Sequence, residues 1–113
     1  MNWKKLETET ALAEIKALSE NQPIVIFKHS TRCPVSSMAL DRLERNWDQE
    51  EMQSVLPYFL DLIAYRNISN KIADIFGVVH ESPQVLLIEN GKCIYNASHM
   101  GISYNALKRH IQA

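Results

Sequence analysis

The stretch Ile24-Val25-Ile26-Phe27-Lys28-His29-Ser30-Thr31-Arg32-Cys33-Pro34-Val35-Ser36 changes its periodicity halfway along, and that change decides the fold. Its first four residues form an unbroken β-branched and aromatic run, too short for a helix and apolar on both faces. Such a run reads as a central buried strand, with Lys28 expected at its exit into solvent. A short polar link, His29 to Arg32, then leads to Cys33. Pro34 suits the first position of a helix, where its missing N–H would have had no partner anyway. Val35, Met38, Ala39, Leu43 and Trp47 follow at helical spacing and are read as the inward face. The unit is strand, loop, helix, with a cysteine at the junction.

Working outward, Leu12, Ile15 and Leu18 recur every three residues between Thr8 and Ser19, predicting an amphipathic helix with Thr8 or Thr10 as N-cap. Downstream, Val55 to Ile63 is extended, and Pro57 within it points to an edge strand. Arg66 to Phe76 carries Ile68, Ile72, Ala73, Ile75 and Phe76 at mixed three and four spacing and stops at Gly77, a second crossover helix. Gln84 to Ile88 and Lys92 to Tyr95 are strand-like runs joined through Asn90-Gly91, a strong hairpin signal. Ser103 then caps a closing helix through Ala106, Leu107 and Ile111, with Lys108, Arg109 and His110 in its last turn. The order α, β, α, β, α, β, β, α predicts an α/β fold: one domain over residues 1–113 with a central four-stranded mixed sheet flanked by helices.

Composition narrows the function. Twelve Lys and Arg against thirteen Asp and Glu leave a net charge of −1, so no global field favours nucleic acid or an anionic membrane. No window reaches the ~18 uninterrupted apolar residues of a membrane span. The N-terminal residues break into Glu7, Thr8 and Glu9 where a signal peptide needs a continuous apolar stretch, so the cytoplasm is the expected compartment. There, the two cysteines are not expected to form a structural disulfide. Cys33, Cys93 and four scattered histidines lack the close spacings of metal ligands, so no metal site is expected. Trp3, Trp47, Phe27 and Phe76 are read as packing residues.

The chemistry concentrates at Cys33. Unpaired N–H groups and the positive dipole end of the following helix favour the thiolate, the nucleophilic form in disulfide exchange. Lys28, His29 and Arg32 offer positive charge nearby. Cys33 could instead be a small apolar filler at a helix start. Ser36 stands where a dithiol enzyme would carry its second cysteine. A hydroxyl forms no disulfide but can donate to the thiolate, so another thiol would have to resolve a mixed disulfide at Cys33; an ordinary first-turn serine is the plainer reading. Ser82-Pro83 precedes the third strand, where a proline is tolerated and where the sequence alone favours the trans isomer over cis.

These motifs resemble the thioredoxin-like superfamily across nearly the whole chain. More narrowly, Lys28 to Ser36, Glu81-Ser82-Pro83-Gln84 and Asn96-Ala97-Ser98-His99 together look like the bacillithiol-system redox family, the YtxJ-type monothiol bacilliredoxins. The resemblance implies reversible mixed-disulfide formation between Cys33 and bacillithiol, or a similar low-molecular-weight thiol acting as co-substrate, with no tightly bound cofactor. The partners it implies are oxidised or S-thiolated cytosolic proteins. It also implies that Pro83 is cis beside the Cys33 thiol and that Ser82 pairs its backbone with the substrate chain. In that fold Ser98, His99 and Gly101 return toward Pro83, so His99 would bind substrate or adjust the thiolate, unless it is only a surface histidine ending a strand. Arg32, Lys28 and Arg66 are the candidates to meet the malate group of bacillithiol; Arg32 and Pro34 complete the expected substrate contacts. His80 and His110 carry no expected role at the site. Two rivals stand beside this reading: a monothiol glutaredoxin-like carrier of an iron–sulfur cluster, against which Pro34 counts because that family has glycine there, and a non-catalytic binding module of the same fold.

Overall fold

The computed structural model describes residues 1–112. Strand β1 (Lys4–Lys5) precedes helix α1 (Glu9–Leu18), strand β2 (Ile24–His29), helix α2 (Pro34–Asn46), strand β3 (Leu56–Asp61) and helix α3 (Arg66–Phe76). Strands β4 (Gln84–Glu89) and β5 (Lys92–Ser98), a 3-10 turn at His99–Gly101 and helix α4 (Tyr104–Gln112) complete the chain. The strands form one mixed sheet in the order β1-β3-β2-β4-β5, parallel between β1, β3 and β2 and antiparallel between β2, β4 and β5.

The sheet therefore has five strands, not four, and the segment with Pro57 is not the outermost. Lys4 and Lys5 pair with Tyr58 and Phe59, a contact no local pattern in two exposed lysines announces. Pro57 is nonetheless compatible with its place. Leu56 N–H donates toward the β2 side, to Pro23 O at 3.0 Å, so the next residue along faces the other way, where β1 has not yet begun.

Alternation along β2 divides the core. Ile24 and Ile26 join Leu12 and Ile15 of α1 and Ile68 and Ile72 of α3 on one face. Val25 and Phe27 join Ala39 and Leu43 of α2 and Leu107 of α4 on the other. Two inward readings do not hold. Val35 and Met38 on α2 are exposed, at 37% and 61%, while Ser36 takes the buried position of that turn; Ile75 on α3 is likewise exposed. The apolar stripe of α2 is thus narrower than the sequence suggests: Ser36, Ala39 and Leu43 take its buried positions.

Local signals explain the element ends. Thr8 Oγ1 accepts from Ala11 N–H at 3.0 Å and caps α1. Gly77, at φ 64°, ends α3 in the left-handed conformation. Asn90 and Gly91 both have positive φ and link Glu89 to Lys92 in a two-residue turn that matches the strand twist. Ser103 caps α4 through its Oγ, which accepts from Ala106 N–H at 3.4 Å.

Candidate active site

Cys33 is the N-cap of α2, half-buried, with Pro34 in the first helical turn. Its extended backbone (φ −111°, ψ 115°) lets the chain turn from β2 into the helix. Cys33 N–H donates to Ser30 O at 3.2 Å, and Cys33 O accepts from Ser37 N–H at 3.2 Å, so the loop and the first helical turn hold the cysteine from both sides. Arg32 and Pro34 beside it are exposed.

Ser36, one helical turn on, is fully buried. Its Oγ accepts from Ser30 N–H at 3.0 Å and lies 2.7 Å from His29 Nδ1. The hydroxyl is thus engaged with the loop and the strand end, and forms no hydrogen bond with the Cys33 sulfur here. His29 is buried on the α2 side of the sheet, its ring centroid 5.4 Å from that of Phe59 and 6.3 Å from that of Phe27. Burial lowers its pKa below the ordinary 6.5, against the opposing pull of Asp61, Asp41 and Glu44. At neutral pH the ring is therefore uncharged, and His29 does not supply the positive charge expected of it.

Lys28 departs further from expectation. It is 0% exposed, lying not at an exit into solvent but under the opposite face of the sheet from His29. Its Nζ lies 2.7 Å from His80 Nδ1 and 3.2 Å from Gln84 Oε1. Burial lowers its pKa from 10.5 to about 8, partly offset by Glu81. Burial and the Lys28 charge also lower the pKa of His80, so a charged Lys28 donates to a neutral His80 whose Nδ1 is bare. Gln84 in turn donates through Nε2 to Val79 O at 3.1 Å, and Ser69 Oγ lies 3.4 Å from His80 Nδ1. This network ties the segment before Pro83 to β2 and α3. His80 was expected to have no role at the site and Gln84 entered only as the end of the Glu81-Ser82-Pro83-Gln84 motif; their engagement with Lys28 became visible only with the register of β2 and β4.

The Ser82–Pro83 peptide is cis. Pro83 is buried, and its carbonyl accepts from His99 N–H at 3.0 Å. Ser82 Oγ is buried without a hydrogen-bond partner. Ser98 pairs with Gln84, so β5 does deliver His99 to the cis-proline end of the sheet, as the resemblance implied. His99 adopts φ 55°, and its exposed Nε2 lies 3.0 Å from Glu81 Oε2, which ties the two segments bordering the proline. The strand β2 end, and hence the Cys33 loop, lies at this same end because Lys28 pairs with Gln84. Arg66 opens α3 and bears on the charge of His80.

Cys93 belongs elsewhere. It pairs with Ile88 near the far turn, packs against the core face of α1 and α3, and its Sγ donates to Tyr95 O at 3.3 Å. Burial raises its pKa. Both cysteines are free. Among the described residues no cluster of His, Cys, Asp or Glu could hold a metal ion, and no helix is long and apolar enough to cross a membrane. A shallow depression along α2 is lined by Met38, Asp41, Arg42, Glu44 and Arg45, and no residue of the cysteine loop lines it.

A cysteine at a helix N-terminus, reached from a central strand and set at the sheet end that carries a cis-proline, places the chain among thioredoxin-fold oxidoreductases. A solved structure of a proposed oxidoreductase with a thioredoxin fold matches at 30% identity and TM-score 0.78, over 93% of this chain and 89% of that one. The family is narrower. The model of monothiol bacilliredoxin BrxC matches residues 4–107, and the chain belongs to that family. Two thioredoxins share the fold alone: that of Malassezia sympodialis, at 16% identity and TM-score 0.76 over 98% of this chain and 89% of that one, and mitochondrial thioredoxin 3 of Saccharomyces cerevisiae, at 21% and 0.69 over 97% and 93%.

Proposed function

We propose that this protein is a monothiol thiol–disulfide oxidoreductase that removes bacillithiol, or a similar low-molecular-weight thiol, from oxidised proteins of the cytosol. The carrying observation is Cys33 itself: half-exposed at the start of α2, with a serine where a resolving cysteine would stand. In the reaction the Cys33 thiolate attacks the thiol-derived sulfur of a mixed disulfide. A bond forms between the two sulfurs, the old disulfide bond breaks, and the client leaves as a thiolate that takes a proton from water. A second molecule of a low-molecular-weight thiol then releases Cys33 as thiolate and leaves as a symmetrical disulfide. Neither step needs a bound cofactor.

The surroundings fit a protein client. Val35, Met38 and Met100 leave apolar surface exposed beside the cysteine loop, where a folded chain could dock. Arg32 and Pro34 flank the sulfur, Ser82 offers its backbone to an extended client segment beside the cis Pro83, and His99 stands at the rim with Glu81. Lys28 and His29 act from beneath, by holding the segments that carry Pro83 and Ser36, and do not touch the substrate. The test is intact-mass analysis after incubation with oxidised bacillithiol and with a bacillithiolated protein. One adduct mapping to Cys33, lost on adding the free thiol, is expected; absence of any adduct at Cys33 would refute the proposal and favour a binding module.

A further inference from the structure

An ammonium group has three hydrogens to donate and no lone pair with which to accept. Lys28, 0% exposed on the strand that leads to Cys33, therefore donates to both of its neighbours, His80 Nδ1 at 2.7 Å and Gln84 Oε1 at 3.2 Å. We propose that Lys28 is a specificity-determining positioning residue: it sets where the segment from Val79 to Gln84 lies relative to Cys33, and so governs exchange with peptide and protein clients while leaving exchange with small disulfides nearly untouched. This rests on Cys33 being the nucleophile.

Residues 77–83 join α3 to β4 without regular structure, so side chains fix their path. Lys28 holds the segment at His80. Gln84, with Oε1 engaged by Lys28, turns Nε2 to Val79 O at 3.1 Å and holds it one residue earlier. Ser69 Oγ of α3 stands 3.4 Å from the same His80 nitrogen. The remaining ties come from β5: His99 N–H donates to Pro83 O at 3.0 Å, and His99 Nε2 meets Glu81 Oε2 at 3.0 Å. Ser82, between these ties, has no backbone hydrogen bond among the described residues, and its N–H and C=O are the edge with which an extended chain would pair. Lys28 sits opposite Gln84 across β2 and β4, and its own strand runs on to the Cys33 loop, so one side chain fixes the docking edge relative to the sulfur. Burying an ammonium costs stability, and an apolar side chain of like length would fill the site without that cost, so packing alone does not account for a lysine here. A small mixed disulfide has no chain to lay along Ser82, and its exchange depends on Cys33 and its immediate surroundings.

The experiment compares steady-state turnover of two substrates at neutral pH, with bacillithiol in excess as the resolving thiol: a short peptide bacillithiolated at its one cysteine, and the mixed disulfide of bacillithiol with cysteamine. The proteins are the parent, Lys28→Met, His80→Leu, the double variant and His80→Asn. On the peptide, Lys28→Met and His80→Leu are each expected to raise KM about five- to tenfold with kcat little changed, the scale of one lost hydrogen bond. On the cysteamine disulfide both constants should stay close to those of the parent. The double variant should lose no more than either single one, because the two side chains act through one bond. His80→Asn places an amide oxygen where Nδ1 stands, still able to accept from Lys28, and should restore the peptide KM. Equal losses on both substrates, as a damaged fold or a direct contact of Lys28 with the malate group would give, would overturn the proposal; so would an unchanged peptide KM in Lys28→Met. Failure of the underlying reading shows differently: a Cys33→Ser protein would then turn over both substrates as fast as the parent.

Discussion

Replacing Lys28 with methionine tests the buried cation by a pH dependence of opposite sense to that of an ordinary surface lysine. Lys28 is 0% exposed, and burial brings its pKa from 10.5 to about 8. In the unfolded chain the amine keeps its ordinary value. Between those two pH values the unfolded state therefore binds more protons than the folded state, and stability rises with pH. Below pH ~8 the folded protein carries the full cost of a buried ammonium; above ~10.5 it carries none. At 1.36 kcal/mol per pH unit, the span from 10.5 to about 8 corresponds to about 3 kcal/mol. Lys28→Met removes that cost but also the hydrogen bonds of the charged amine to His80 Nδ1 and Gln84 Oε1, each worth about 1.5–3 kcal/mol, so near neutrality the variant should be no more stable than the parent. The assay is urea unfolding followed by tryptophan fluorescence at pH 7, 8, 9 and 10, with a reductant present. Taking the difference between parent and variant cancels the ionisation of the tyrosines. The parent should gain on the variant with each step, by about 2–3 kcal/mol in all. Parallel stabilities across the range would refute the argument, because they would mean that Lys28 ionises alike in the folded and unfolded chain.

Further outcomes are expected elsewhere. Cys33→Ala should abolish transfer from mixed-disulfide substrates, whereas Ser36→Ala should slow it about five- to tenfold, since only the sulfur changes bonds; equal loss in both variants, measured by substrate turnover, would contradict the single-cysteine mechanism. A peptide map of the oxidised monomer should lack a Cys33–Cys93 link: Cys93 pairs with Ile88, so most of the length of β4 separates the two, on the order of 15–20 Å, against the ~7 Å between Cα atoms that a disulfide tolerates. Phe27→Ala should cost about 3–5 kcal/mol in urea unfolding, because the ring is fully buried against α2. Gly91→Ala should cost about 1–2 kcal/mol in the same assay: φ is 73° there, and the nearest atom to an added Cβ, on Lys16, is at an unstrained 3.6 Å, so the backbone conformation alone carries the penalty.

The amino-acid sequence by itself determined what depends on neighbours along the chain. The apolar run Ile24 to Phe27 is a central strand, Pro34 opens a helix on Cys33, Gly77 ends α3 and Asn90-Gly91 closes a hairpin, each through a backbone preference or a burial pattern that operates within a few residues. The motifs around Cys33, Ser82-Pro83 and His99 likewise sufficed to place the family. What required the tertiary structure were relations between residues far apart. Lys4 and Lys5 become a fifth strand only because β3 presents them an unpaired edge. Lys28 and His29, adjacent and polar, look alike in the sequence as cations next to a thiol. Strand alternation sends them to opposite faces, one beneath the proline segment with His80 and Gln84, the other beneath α2 with Ser36. Their burial, and with it their loss of ordinary charge behaviour, depends on how the loops and helices close over the end of the sheet, and no local pattern encodes that closure.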